Sequence, residues 1–374
     1  MRKIGITGQS GFIGSHIFNT LGLYPSEFER VDFRRSFFDD EDLLDEFVAN
    51  CNVIIHLAGL NRHNDSEVIF NTNLKLTQKL VASLERTRSQ AHVIFSSTSQ
   101  EENDNLYGRS KKESRLLLSN WAESAGVRFS GLVIPNVYGP FGEPYYNSVI
   151  ATFCYQLTHD ESSKIEIDRE LKLIYVSELV DQILGFIREN DNSHIRVLEY
   201  STQIKVSEVF ELLRNFRIEY FENGIIPRFN SKFELNLFNT FRSYIDISNY
   251  YPIKFTLHTD DRGSFSEIIR VGEGQGGQTS FSTTVPGVTR GNHFHTRKIE
   301  RFAVIKGEAL IQLRKIGTTE TIDLYLSGDS PAYVDMPIWY AHNIKNIGSE
   351  ELYTIFWINE FFDINDPDTF FEAV

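Results

Sequence analysis

The chain has 374 residues, long enough for two compact units. Its hydrophobic content of 41% and charged content of 24% are those of a soluble globular protein with ample core. A formal net charge of −14 disfavours nucleic acid and anionic membranes as partners, and no run of about 18 apolar residues is present to span a bilayer.

The first strand expected is Lys3–Thr7, so close to Met1 that no secretory signal fits before it, and a cytoplasmic protein is the expectation. The two cysteines, Cys51 and Cys154, stand far apart in apolar contexts and read as buried thiols. Short apolar runs then alternate with amphipathic ones, the βαβ pattern of a parallel sheet. The strands expected are Lys3–Thr7, Arg30–Phe33, Val53–Leu57, His92–Ser96 and Arg128–Val133. The helices are Phe12–Leu21, Glu41–Ala49, Ile69–Leu84 and Tyr107–Ala125. Near Asn230–Pro252 helical periodicity fades. The division expected is 1–243, a linker at 244–254, and 255–374. The last part has an all-β texture, with runs at Ser280–Val285, Arg301–Ile305, Ala309–Leu313, Thr321–Leu326, Ala332–Asp335 and Leu352–Ile358. The Gly272–Gly277 cluster reads as a hairpin loop.

Thr7-Gly8-Gln9-Ser10-Gly11-Phe12-Ile13-Gly14 follows a strand and opens a helix. Glycines there permit a tight turn and close approach of a pyrophosphate to the helix N-terminus. Arg34 and Arg35 follow the second strand, where an arginine can pair with a 2′-phosphate and favour NADPH. Asp32 stands about where an NAD-type acidic residue would, so the two signals compete. Tyr107 and Lys111 lie one helical turn apart on one face. A lysine beside a phenol stabilises phenolate, which suits Tyr107 to proton transfer. Thr98, in the polar Ser96–Ser99 run, can hydrogen-bond the same substrate oxygen.

With these motifs, residues 1 to about 240 resemble an extended short-chain dehydrogenase/reductase, an α/β doubly wound Rossmann-like domain. His56-Leu57-Ala58-Gly59, Asn73 and Pro135–Pro140 resemble further signatures of that family, the last its substrate-side loop. The resemblance implies cofactor contacts from Leu57, Ala58 and Asn73 and substrate contacts from Asn136. It also implies nucleotide-sugar substrates. A dehydratase member carries an acidic pair directly after the catalytic threonine. Ser99-Gln100 follows Thr98 instead, which favours ketone reduction over dehydration.

In the β half, Gly287, His293-Phe294-His295, Glu300 and Gly307 resemble the first cupin motif. Gly328, Pro337, His342 and Asn346 resemble the second, with Trp339 where that motif prefers glycine. An all-β cupin (double-stranded β-helix, or jelly roll) is expected. Strand alternation puts His293 and His295 on one inward face. His293, His295, Glu300 and His342 suit a divalent transition metal, Zn2+ most simply, with iron, nickel or manganese as alternatives. The competing reading is a metal-free cupin that uses the histidines as proton carriers. Asp260–Glu267 is similar to the Asp-Arg-Gly-x-Phe-x-Glu segment of cupin-type dTDP-keto-sugar 3,5-epimerases, implying nucleotide-sugar contacts from Arg262, Phe265 and Glu267.

Taken whole, the chain resembles bifunctional capsular-polysaccharide epimerase/reductases of the CapF/WbjC type. Tyr146–Tyr155 (with Asn147 as a substrate contact), Gly291-Asn292-His293 and the tail Asp366–Phe370 carry the resemblance. It implies an NADPH-using homodimer acting on a UDP-linked amino-deoxy-keto-sugar. The cupin would invert C3, and the reductase would then reduce C4. The order follows from chemistry, since the C3 proton is acidic only while C4 is a ketone. Tyr340, Asp335 and Lys306 are the candidates for the cupin's general base, because they lie near its motifs.

Overall fold

The computed structural model describes residues 1–189, 194–261, 263–272 and 276–374. Packing divides the chain into two compact units, Met1–Val149 with Ile167–Val206, and Ile150–Glu166 with Ser207–Val374. Residues 207–243, read from sequence as part of the reductase half, therefore group with the β half. A buried polar network explains the grouping. Tyr220 donates to Asp335 at 2.7 Å and shares a 2.7 Å bond with Tyr251, while Arg242 donates to the Met336 carbonyl at 2.9 Å.

The first unit alternates β1 (Arg2–Thr7), α1 (Phe12–Leu21), β2 (Phe28–Val31), α2 (Glu41–Ala49), β3 (Val53–His56), α3 (Ser66–Arg86), β4 (His92–Thr98), α4 (Leu106–Ala125) and β5 (Phe129–Ile134). It continues with β6 (Asn136–Tyr138), then α5 (Val149–Thr158), most of which packs with the second unit. Next come β7 (Glu170–Tyr175), α6 (Val176–Glu189), β8 (Arg196–Val197) and β9 (Thr202–Lys205). The main sheet is parallel throughout, in the order β2-β1-β3-β4-β5-β8. Its strands read as continuous apolar runs because both faces are covered. Ile4, Ile6, Ile55, Ile94 and Leu132 pack against α1 and α6. Ile54, Val93, Phe95 and Phe129 pack against α2, α3 and α4. The strand order reverses between β1 and β3, and the crevice outside the carboxyl ends of strands at such a point is where doubly wound sheets bind ligands.

Besides most of α5, the second unit holds α7 (Val206–Phe216), a π-helical turn at Arg217–Glu222, α8 (Lys232–Arg242) and α9 (Ile247–Tyr250). Eleven further strands follow among the described residues: β10 (Ile253–Lys254), β11 (His258–Asp260), β12 (Gly263–Phe265), β13 (Gln278–Thr284), β14 (Thr289–Phe294), β15 (Glu300–Lys306), β16 (Glu308–Lys315), β17 (Thr321–Ser327), β18 (Ala332–Met336), β19 (Tyr340–Asn346) and β20 (Leu352–Ile358). The short β21 (Phe370–Phe371) closes the chain. Two antiparallel five-stranded sheets, β10-β18-β15-β20-β13 and β17-β16-β19-β14-β21, enclose a core of Phe302, Val304, Ile311, Leu313, Val334, Met336 and Ile344. This is the double-sheet jelly roll expected of a cupin. The hairpin assigned to Gly272–Gly277 lies partly outside the described residues.

Candidate active sites and their relatives

In the α/β unit the glycine turn is built as the sequence requires. Gly8 has φ +78°, the left-handed region that favours glycine, and its carbonyl accepts from Gly11 N at 3.0 Å. A Cβ on Gly14 would collide with that same carbonyl. No side chain caps α1, whose N-cap is Gly11, so its first N–H groups stay available to an anion. The Thr7 side chain points elsewhere. It is fully buried, 2.6 Å from His56 Nδ1, and accepts from Ala58 N at 3.3 Å, so it ties β1 to the turn after β3. Burial pushes His56 down to about 3, which makes it a neutral strut. Arg34 and Arg35 are exposed beyond the end of β2.

Asn73 is buried and committed on both sides of its amide. Its oxygen accepts from Leu60 N at 2.6 Å, and its nitrogen donates to the Leu60 carbonyl and to Ser110 Oγ. Ser110 in turn donates to the Tyr107 carbonyl at 2.7 Å, so the loop after β3 is fixed to the start of α4. Gly108 completes this anchorage. A Cβ there would collide with the Gln100 carbonyl, so the Thr98–Gln100 segment lies directly against the helical turn carrying Tyr107. At the same carboxyl edge, Arg62 donates to the carbonyls of Tyr145 and Tyr146, and Asn147 donates to the Asn61 carbonyl at 3.3 Å. Asn136 opens β6 in an exposed position.

The electrostatics differ from expectation at one point. Burial pushes the Tyr107 phenol up to about 12, with Tyr146 adding to the rise. Lys111 does not offset that rise. Its ammonium lies 3.4 Å from Ser96 Oγ and 4.7 Å from the centre of the Phe95 ring, and burial pushes it down to about 8 against the pull of Glu101. Tyr107 is thus a neutral phenol near pH 7 and holds a proton ready to give. Glu101 went unnoticed in the sequence. It is buried, pairs bidentately with Arg115 and accepts from Ser97, bracing the strand end beside Thr98.

In the β unit, one donor atom each from His293, His295, Glu300 and His342 lies within 4.8 Å of the others. Both sheets contribute: β15 opens with Glu300, while β14 and β19 pair His293 with His342. Gly291 at φ +94° and Asn292 at φ +61° form the irregularity in β14 that precedes His293. His295 Nδ1 faces the Asp368 carbonyl at 2.5 Å, and His342 Nδ1 faces the Tyr340 carbonyl at 3.0 Å. A carbonyl can only accept, so each Nδ1 carries its hydrogen, and Nε2 is the nitrogen turned inward to Glu300 and to a bound ion. These Nε2 atoms stand 3.1 and 3.2 Å from Glu300 Oε2. Burial alone would raise the Glu300 carboxyl, but the two imidazoles hold it well below the usual carboxylate range. His293 is pushed down to about 4 by burial and by the other two histidines. Against burial, Glu300 in turn raises His295. Three imidazoles and a carboxylate, converging with one donor atom each, form a donor set that fits a divalent transition metal.

Two of the three candidate bases are excluded by position. Asp335 is engaged with Arg301 at 2.6 and 2.9 Å on the side of β18 away from Met336, which pairs with Glu300. Lys306 is exposed at the opposite end of β15 from Glu300. Tyr340 remains, two residues before His342 and packed against the core, with its phenol pushed up by burial. Phe265 and Glu267 are exposed, and Glu267 pairs with Arg270. Arg262 lies outside the described residues. Trp339, the departure from the cupin pattern, sits at φ +61°, which is why glycine suits that position. Its backbone N–H donates to the His295 carbonyl at 2.8 Å, and its ring stacks on Phe294 at 5.5 Å.

Fold and sites together define a dinucleotide-type reductase unit joined to a cupin. The chain belongs to the NAD dependent epimerase/dehydratase family, which matches residues 4–198, and residues 258–370 match the polysaccharide biosynthesis C-terminal domain. It is 30% identical, over 98% of both chains, to the UDP-2-acetamido-2,6-beta-L-arabino-hexul-4-ose reductase of Pseudomonas aeruginosa. It is also similar to the crystal structure of the capsular polysaccharide assembling protein CapF from Staphylococcus aureus, with 32% identity, full coverage of both chains and a TM-score of 0.62. The spore coat polysaccharide biosynthesis protein SpsL of Bacillus subtilis is 31% identical over 123 residues, which cover 31% of this chain and 82% of SpsL. The chain is thus a nucleotide-sugar enzyme of the epimerase/reductase class in polysaccharide biosynthesis. Among the described residues no helix is long and apolar enough to cross a membrane.

Proposed function

We propose that the protein is bifunctional. The cupin inverts C3 of a UDP-2-acetamido-2,6-dideoxy-4-ketohexose, and the reductase unit then uses NADPH to reduce C4. The product is UDP-2-acetamido-2,6-dideoxy-L-talose, on the way to UDP-N-acetyl-L-fucosamine for capsule or O-antigen. The observation that carries this reading is the His293/His295/Glu300/His342 cluster on a chain that also holds Tyr107 and Lys111. The 4-ulose in the Pseudomonas relative's name supports C4 as the reduced carbon.

In the reductase unit, Gly8, Gly11, Phe12, Ile13 and Gly14 would hold the pyrophosphate of NADPH. Arg34 and Arg35 would take its 2′-phosphate, and Leu57 and Ala58 would line its path. When bound, the nicotinamide would supply the hydride for C4. Thr98 orients the ketone oxygen, Tyr107 Oη gives that oxygen its proton, and Lys111 holds positive charge beside it. In the cupin, the four ligands would hold Zn2+ or a similar ion, which supplies Lewis-acid polarisation of the C4 ketone when bound. Inversion takes the C3 proton onto a base on one face and returns a proton from an acid on the other, and Tyr340 would serve as one of this pair. The same reading has the protein act as a cytoplasmic homodimer.

The test compares products of wild type and His293→Ala given the 4-keto-sugar nucleotide and NADPH. The reading expects His293→Ala to reduce C4 without inverting C3. Unchanged C3 inversion would overturn the epimerase assignment and leave the cupin as a structural or dimerisation module beside a working 4-ketoreductase.

A further inference from the structure

The C-terminal segment makes an unusual set of contacts with the chain between two of the proposed ligands. Only Thr296–Ile299 separates His295 from Glu300, so the placement of this link decides whether both can reach one ion. Three consecutive backbone N–H groups, from Thr296, Arg297 and Lys298, each donate to the Asp368 carboxylate at 3.0 Å. The Thr296 hydroxyl adds a fourth bond at 2.6 Å. The carbonyl of the same residue accepts from His295 Nδ1. Asp368 is 4% exposed, with its backbone in the left-handed region at φ +39°. Neighbouring contacts keep the segment in place. Lys298 Nζ donates to the Pro367 carbonyl at 2.6 Å, Arg297 pairs with Asp366, Phe370 stacks on Phe294, and β21 pairs with β14 at His293 and Phe294.

Resting on the metal reading above, we propose that Asp368 is a positioning residue of the metal centre, through which the C-terminal segment sets the tautomer of His295 and the spacing from His295 to Glu300. One aspartate performs both tasks. Its carboxylate gathers the link into a nest of N–H groups, and its carbonyl fixes which imidazole nitrogen faces inward.

The experiment uses the full-length protein stripped of metal, titrated with Zn2+ against a chromophoric chelator and with Co2+ followed by its visible d–d bands. Asp368→Ala is expected to weaken Zn2+ binding by roughly tenfold to a hundredfold and to alter the Co2+ bands at saturation. Asp368→Asn, which keeps one acceptor oxygen, should fall between it and wild type. Asp366→Asn, which removes only an outer contact, should bind within about twofold of wild type. A wild-type near-ultraviolet circular dichroism spectrum in each variant, to which Trp339 and Trp357 of the β unit contribute two of the three tryptophans, would show that the cupin still folds. Wild-type affinity and wild-type bands in Asp368→Ala would overturn the proposal, even if its melting temperature fell. If the wild type itself bound neither ion, the metal reading would fail, and this proposal with it.

Discussion

The two sites are both buried, yet they are assembled in different ways. In the cupin, four groups converge within 4.8 Å, and a carboxylate is held ionised by the imidazoles that touch it. In the reductase unit the groups are set by backbone anchorage. Asn73, Ser110 and Gly108 fix the loops around Tyr107, while burial keeps Tyr107 neutral and weakens the charge on Lys111. A metal-type site can be organised before any substrate arrives. A proton-donor site needs a correctly protonated group in a fixed place, and the cofactor and sugar complete it. Single substitutions should therefore separate the two half-reactions.

The largest separation should come from Tyr107→Phe. Losing the proton donor should slow NADPH oxidation by about a thousandfold, while deuterium exchange at C3 continues at the wild-type rate. Stopped-flow absorbance and NMR on the same preparation would check both halves, and equal losses would mean that the sites are not independent. His293→Ala should do the converse. Exchange should fall by more than the ~100-fold typical of losing an outer-shell partner, with NADPH oxidation of a C3-inverted sugar retained.

Next in size is a stability effect confined to the β unit. Asp335→Asn leaves Arg301 buried without its carboxylate and should cost about 3 kcal/mol, read as a shift in denaturant midpoint. NADPH affinity should stay unchanged. The smallest effect is in pH dependence. Lys111 is pushed down to about 8, so its cation is present below that pH and lost above it. The reductive rate should fall as pH rises through about 8, and Lys111→Arg should remove that limb. The exchange reaction should show no such limb.

Much of this was legible in the sequence because it depends on local chemistry. The glycine turn and the Tyr107/Lys111 spacing follow from short-range rules of helix and strand, and the His293/His295/Glu300/His342 set from its resemblance to the cupin motifs. The observed helices Phe12–Leu21 and Glu41–Ala49 match the expected ones residue for residue. What was missed depends on long-range packing. Asp368 lies 73 residues from His295 and acts partly through a carbonyl, which carries no side-chain signature. Residues 207–243 read with the reductase half because the change in composition comes only near residue 230, and long-range contacts such as Tyr220–Asp335 and Arg242–Met336 show that they belong with the β half. Lys111 was expected to ease Tyr107 toward phenolate, yet desolvation governs both groups, and burial is not readable from i, i+4 spacing. Asp335 and Lys306 stand near the cupin motifs in sequence, but strand alternation and strand length carry them away from the site.

The central claim is that the cupin acts before the reductase. An NMR time course in deuterated water tests it most directly, with the 4-keto-sugar nucleotide supplied first without NADPH and then with it. The account predicts that deuterium enters C3 before any NADPH is present and is retained in the C4-reduced product. A reduced product with protium at C3, or no exchange until NADPH is added, would contradict it.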